Sequence, residues 1–262
     1  MSDQVPATSA AGAGPVRRGP LAHRRRVIIT IDGPAGTGKS SVARVLARRL
    51  GLEFLDTGAM YRAAAALAVD RGIAVTDHAG IVEAVSRTDL HFDWTTDPPT
   101  LLSSGVSVME RIRDKDITAV VSPIAGIAGL RALMVRMQRQ IGAAHPRLVT
   151  EGRDQGSIVF PDADVKVFMF AAPEVRAARR AQQLRAAGQA VDEAALVREI
   201  IERDQSDASR TDGPLVCPEG AERFDTSAYT FDEVVDRLYL LVLTRLEEAS
   251  KKNETGLALS AS

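Results

Sequence analysis

The chain has 262 residues, 45% hydrophobic and 26% charged, with a formal net charge of −1. That is enough for one large α/β core with a smaller insertion, in the balance of a soluble globular enzyme. The near-zero total carries no general nucleic-acid-binding field, the single cysteine, Cys217, excludes an internal disulfide and a cysteine-rich zinc site, and no apolar run approaches the ~20 residues of a membrane-spanning helix.

Residues 1–25 are mostly Ala, Gly, Pro, Ser and Arg and read as a disordered leader, its Arg17, Arg18 and Arg24 to Arg26 as solvated charge. With no signal-type hydrophobic segment there, a cytoplasmic location is expected. Beyond the leader, short apolar runs alternate with helical periodicity, the pattern of a parallel sheet flanked by helices. Strands are expected over 27–31, 54–55, 148–150, 165–170 and 223–225. Helices are expected over 39–50, 59–71, 79–87, 117–122, 130–143, 174–187, 193–207 and 232–248, the last opened by a Thr230 and Glu233 capping box. Residues 90–109 break the alternation. Pro98-Pro99 and a Ser104-Gly105 pair between Leu101-Leu102 and Val106-Ser107-Val108 predict a small antiparallel hairpin, and 57–128 reads as an inserted subdomain that holds a second substrate. Residues 249–262 read as a flexible tail.

Between the first strand and the first helix stands Gly33-Pro34-Ala35-Gly36-Thr37-Gly38-Lys39-Ser40. Glycines let successive backbone N–H groups point inward, and the helix N-terminus adds its positive end, so the segment reads as a polyphosphate cradle. Lys39 is placed to bridge the terminal phosphates and Ser40 to ligate Mg²⁺. Asp32, just before the loop, either lies near that metal or closes a turn. No further acidic residue at a strand end stands out as a metal ligand.

A phosphate loop alone does not separate a kinase from a GTPase or a motor. No Asn-Lys-x-Asp guanine reader and no switch-type Asp-x-x-Gly follows a strand. Arginines and hydroxyls after strand ends point instead to a second anion opposite the first. The clusters are Asp56-Thr57-Gly58-Ala59-Met60-Tyr61-Arg62, Glu151-Gly152-Arg153-Asp154, and Arg203-Asp204 with Asp207 and Arg210. Each has a plainer reading: a helix cap for the first, an exposed turn for the second, a surface ion-pair ladder for the third. Arg176, Arg179 and Arg180 fit either a solvated helix face or a mobile lid.

Taken in order, and with Val159-Phe160-Pro161-Asp162-Ala163 added, these strings resemble the bacterial cytidylate kinases, nucleoside monophosphate kinases of the P-loop class. The resemblance runs from about Val27 to Leu246 and is loose over 75–105. It implies an α/β fold: a P-loop parallel sheet flanked by helices over 26–248, an inserted monophosphate-binding subdomain, and a short arginine-bearing lid over 174–210. It implies ATP phosphates on Gly33, Pro34, Ala35, Gly36, Thr37, Gly38, Lys39, Ser40 and Ser41, with Mg²⁺ on Ser40. For CMP or dCMP it implies sugar contacts from Thr57, Tyr61, Arg203 and Asp207, and phosphate neighbours in Arg62, Arg113 and Arg153. Cytosine readers would be Ser122, Arg131 and Asp154, with Arg210 close by. Lys39, Arg153 and the lid's Arg179 would stabilise the transferring group. Ser206, where relatives carry arginine, has no role assigned. The family further implies a monomer in pyrimidine nucleotide metabolism, with neither nucleic acid nor membrane as partner. Another small acceptor (UMP, AMP or shikimate) and a non-catalytic nucleotide-binding protein are the alternative readings.

Overall fold

The computed structural model describes residues 19–260. In chain order, β1 (Val27–Asp32) leads to α1 (Lys39–Leu50), and β2 (Glu53–Asp56) to α2 (Thr57–Asp70) and α3 (His78–Ser86). Three short strands follow, β3 (Leu90–Asp93), β4 (Thr100–Ser103) and β5 (Val106–Ser107), then α4 (Lys115–Ala125) and α5 (Ala128–Ala144). The chain continues as β6 (Arg147–Gly152), β7 (Val165–Phe170), α6 (Pro173–Ala186), α7 (Glu193–Ala208), β8 (Glu222–Asp225) and α8 (Phe231–Ser260).

Five strands form a parallel sheet in the order β2-β6-β1-β7-β8. Every residue of β1 is buried, as expected where helices cover both faces of a parallel sheet. Alternation along β1 divides the core. Val27, Ile29 and Ile31 join Val149, Val165 and Met169 under Leu46 of α1 and Leu238 of α8, whereas Ile28 joins Leu55 and Leu148 under Met60 of α2 and Met134 of α5. Ile81, Trp94, Leu101 and Ile117 belong to that second cluster too, so residues between α2 and α4 pack on the sheet's own core. Each fully buried aliphatic side chain contributes about 1.5–3 kcal/mol to holding these layers together.

The chain runs from β1 over β6 to β2, and later from β6 across β1 to β7. Connections therefore diverge at β1, and its carboxyl end opens the crevice in which such sheets bind ligands.

The expected hairpin is present. Ser104 (φ 50°) and Gly105 (φ 80°) form a two-residue turn with both residues left-handed, and Ser103 pairs with Val106 across it. β3 adds a third strand, with Leu90 opposite Ser103. The capping box also forms: Thr230 N donates to Glu233 Oε2 at 2.8 Å and Glu233 N to Thr230 Oγ1 at 3.4 Å.

Most elements lie within two or three residues of their expected bounds, and the larger differences fall at the two ends of the chain. The described part of the leader is packed: Leu21 is 3% exposed within the β1–α8 core, and Arg24 donates to Leu246 O at 2.8 Å. One apolar anchor in a polar segment is enough for this, and average composition conceals it. Arg17 and Arg18 lie outside the described residues. At the other end, α8 continues past Glu248 to Ser260, beyond the 232–248 expected for the last helix, in a stretch without proline. Among the described residues no single helix is long and apolar enough to cross a membrane.

Candidate active site

The loop after β1 presses against β7. A Cβ at Gly33 would lie 1.9 Å from Met169 O, so only glycine lets the two backbones meet there. Gly38 caps α1 with no side-chain acceptor, which leaves the first-turn amides free to face an anion. Lys39, 5% exposed, curls back to donate to Pro34 O at 2.7 Å, and Thr37 Oγ1 donates to the same carbonyl at 3.2 Å. Burial, then the nearby Arg153 charge, pushes the Lys39 ammonium down to about 7. A phosphate in the loop would restore what Lys39 lacks, a strong anionic acceptor.

Asp32 closes a turn. Its buried carboxylate accepts from Gln155 N at 2.8 Å and Gly156 N at 2.7 Å, in a five-residue π-helical turn, Gln155–Val159, that follows β6. Burial pushes it up to about 7 against those two donors. Gln155 is tied further: its side chain accepts from Thr150 Oγ1 and donates to Gln138 Oε1, each at 3.0 Å.

The β2–β6 register sets Asp56 beside Glu151. Asp56 accepts from Ala59 N as the cap of α2, and burial followed by the Glu151 charge raises it to about 7. Glu151 Oε1 accepts from Ser40 Oγ at 3.0 Å, and Thr57 Oγ1 donates to Glu151 O at 2.6 Å. Two carboxylates and a hydroxyl thus converge at the phosphate loop. Glu151, given no role from sequence, joins them because side chains alternate along β6, a signal that required knowing which face of β6 looks at α1.

Beyond them lies a wall of arginines. Arg153 Nε donates to Asp207 Oδ2 at 2.9 Å, while Arg210 pairs with Asp207 Oδ1 and donates to Ser122 Oγ at 3.3 Å. Asp207 is 2% exposed, which removes the surface-ladder reading of that cluster. Arg131 and Asp154 form a short buried ion pair, with the Tyr61 ring 5.7 Å from the Arg131 guanidinium carbon. Burial pushes Asp154 upward while Arg131 pulls it back. Arg62 donates to Ile112 O at 3.2 Å and Thr118 Oγ1 at 3.0 Å. Burial lowers Arg62, Arg203 and Arg210, and like charges then lower them further: Arg113 and Arg153 for Arg62, Arg153 for Arg203, Arg131 for Arg210. Arg203 Nε is buried without a hydrogen-bond partner. Cations gathered this closely, one with an orphaned donor, are arranged for an anion.

The lid expectation needs correction at one residue. Arg179 donates to Thr226 Oγ1 at 3.1 Å, Thr226 O at 2.6 Å and Tyr229 O at 3.4 Å, so it fastens α6 to the turn after β8. Arg176 is the one that reaches the phosphate loop, donating to Ala35 O at 2.9 Å while its guanidinium forks onto Asp204 of α7. Spacing along α6 offered all three arginines; the partner on α7 that selects Arg176 is a tertiary fact. Arg180 is among the charges that Arg62 feels.

A family model described as cytidylate kinase matches residues 29–243. The cytidylate kinase of Rhodococcus jostii (strain RHA1) is 41% identical over 222 residues, covering 84% of this chain and 96% of that one. That of Corynebacterium glutamicum is 40% identical over 225 residues (86% and 98%), and that of Mycobacterium avium (strain 104) 40% over 223 (85% and 98%). With a phosphate loop and a facing arginine wall on one parallel sheet, and a match that spans both, the chain belongs to the cytidylate kinase family.

Proposed function

We propose that this chain transfers the γ-phosphoryl group of ATP to CMP or dCMP, giving ADP and CDP or dCDP. The observation that carries the reading is the buried Arg131–Asp154 pair, set beside Tyr61 and Arg210. Cytosine offers an N4 amino donor where uracil offers an O4 acceptor, so Asp154 attracts the one and repels the other. Ser122 and Arg131 supply donors for the remaining base acceptors. Thr57, Tyr61, Arg203 and Asp207 surround the sugar; Arg62, Arg113 and Arg153 take the acceptor phosphate.

On the donor side the amides after Gly38 and the Lys39 ammonium hold the ATP phosphates. Transfer is in line, and its charge spreads over the oxygens of the moving group. Lys39 and Arg153 answer that charge from opposite sides, a stabilisation already built before substrate arrives. Arg176 replaces Arg179 as the lid contact to the loop. An ionised acceptor phosphate needs no general base. The hard oxygen donors Ser40, Glu151 and Asp56 fit Mg²⁺, whose charge would relieve the burial that raises Asp56. Bound there, Mg²⁺ would supply charge neutralisation at the β- and γ-phosphates. Since one chain furnishes both substrate sites, we take the working unit to be a monomer, and its ATP and CMP supply to be cytoplasmic.

The test is ADP release with Mg·ATP against CMP, dCMP, UMP, AMP and shikimate, with an acceptor-free control. Fast turnover confined to CMP and dCMP is expected; turnover on another acceptor, or hydrolysis independent of acceptor, would refute the assignment. Replacing Asp154 by Asn should narrow the CMP-to-UMP ratio of kcat/KM by roughly 5- to 150-fold, as loss of ~1–3 kcal/mol of base discrimination implies. An unchanged ratio removes Asp154 from base reading. The Lys39 reading makes ATP binding take up a proton. A lowered amine is neutral in the free protein above pH 7, bound phosphate favours the ammonium, and affinity falls as pH rises from about 7 toward the ordinary lysine range. Calorimetry at pH 8 should give binding heats that differ between buffers of unlike ionisation enthalpy, and Lys39→Met should abolish the difference. Equal heats with the native chain would contradict it.

A further inference from the structure

The loop that follows α7 returns over the base-reading pair. Leu215 N donates to Asp207 O at 2.9 Å and folds Gly213 inward, where it is buried with φ 66°. A Cβ built there would lie 1.8 Å from Arg131 Nη2, 2.3 Å from Cζ and 2.6 Å from Nε. The bare backbone of residue 213 therefore rests on the Arg131 guanidinium. The same guanidinium is held by Asp154, by Ala125 O at 3.2 Å, and with the Tyr61 ring 5.7 Å away.

We propose that Gly213 is a positioning residue for acceptor specificity: its missing side chain lets the loop after α7 clamp Arg131 against Asp154 in the orientation that reads the base. This rests on the assignment of Arg131 and Asp154 as base readers and adds to it the element that fixes them. A clash with the tip of a long side chain is ordinarily relieved at little cost, because the tip swings aside. Here the tip is the reading group and is ion-paired in a buried place, so relief disturbs recognition as well as packing. The same loop begins at Arg210, which holds Ser122, so it joins the Ser122 and Arg131 donors to Asp207 on α7.

The experiment compares Gly213→Ala with Gly220→Ala. Gly220 has nearly the same backbone angle, φ 70°, and nothing within 4 Å of an added Cβ, so it carries the left-handed strain alone. Thermal unfolding should shift further in Gly213→Ala, which adds displacement of a buried ion-paired group to the shared left-handed strain, and kinetics are compared at a temperature where both variants remain folded. Gly213→Ala alone should raise KM for CMP about tenfold or more and narrow the CMP-to-UMP ratio, with KM for ATP unchanged. In an Arg131→Ala background it should add no more than Gly220→Ala does, because the group it displaces is gone. Indistinguishable CMP kinetics for the two single variants, with Arg131→Ala impaired, would overturn the role of Gly213 and leave the base reading standing. A loss that persists in full without Arg131 would overturn it as well, in favour of a structural role. Normal CMP kinetics in Arg131→Ala would sink the base reading and this inference together.

Discussion

The site depends on one buried carboxylate. β1 and β6 run side by side with Asp32 opposite Gly152, and the Asp32 side chain reaches across to the amides of Gln155 and Gly156. The phosphate loop begins one residue after Asp32, and Arg153 and Asp154 stand just before Gln155. A single acceptor with two backbone donors therefore sets the spacing between the phosphate loop and the Arg153–Asp154 pair, the two groups proposed above to serve donor and acceptor. Burial acts against the ionised form and raises its pKa to about 7; the two N–H bonds work in the opposite direction. Gln155, anchored to Thr150 and Gln138 as well, leaves the turn little freedom.

Around that fixed spacing the protein gathers more positive charge than it neutralises. Asp207 serves Arg153 and Arg210, Asp154 serves Arg131, Asp204 serves Arg176, and Arg203 retains a buried donor with no partner. Burial and mutual repulsion both act against the charged form of Arg62, Arg203 and Arg210, and an anion placed among them would offset both. The carboxylates keep each arginine's orientation until then. Arginine suits this better than lysine because its planar fork can face a carboxylate on one edge and a phosphate on another. Catalysis by such a site is mostly preorganisation: the charge that develops in transfer meets donors already in place.

Much of this was legible in the sequence. The glycine pattern between an apolar run and a helical repeat located the phosphate loop, and α1 spans the 39–50 read from its periodicity. Thr57, Tyr61, Arg153 and Asp154 could be picked out as anion or hydroxyl chemistry after strand ends, whereas Arg203, Asp207 and Arg210, on and just past α7, drew a role only from the family resemblance. What sequence left open was which partner each side chain takes. Asp32 had two readings until the β1–β6 register placed the Gln155 turn beside it. Arg176 and Arg179 look alike along α6; Asp204 on α7 and the Thr226 carbonyl on the far side separate them. Glu151 shows its place only once β2 and β6 are paired, and Gly213 only once the loop after α7 is seen against Arg131. The described ends of the chain differ for another reason, since composition averages over a segment in which one leucine, such as Leu21, decides the local outcome.

The central claim is that two anion sites of different specificity lie side by side across the Asp32 link. It is tested most directly by titrating the protein with a pentaphosphate-linked adenosine–cytidine bisubstrate analogue, with ATP, CMP and the corresponding adenosine–adenosine analogue as references. Adjacent sites predict that the mixed analogue binds about a hundredfold or more tightly than either substrate alone, since one molecule gathers both sets of contacts, and that the adenosine–adenosine compound loses most of the gain. A mixed analogue that binds no more tightly than ATP would contradict the account.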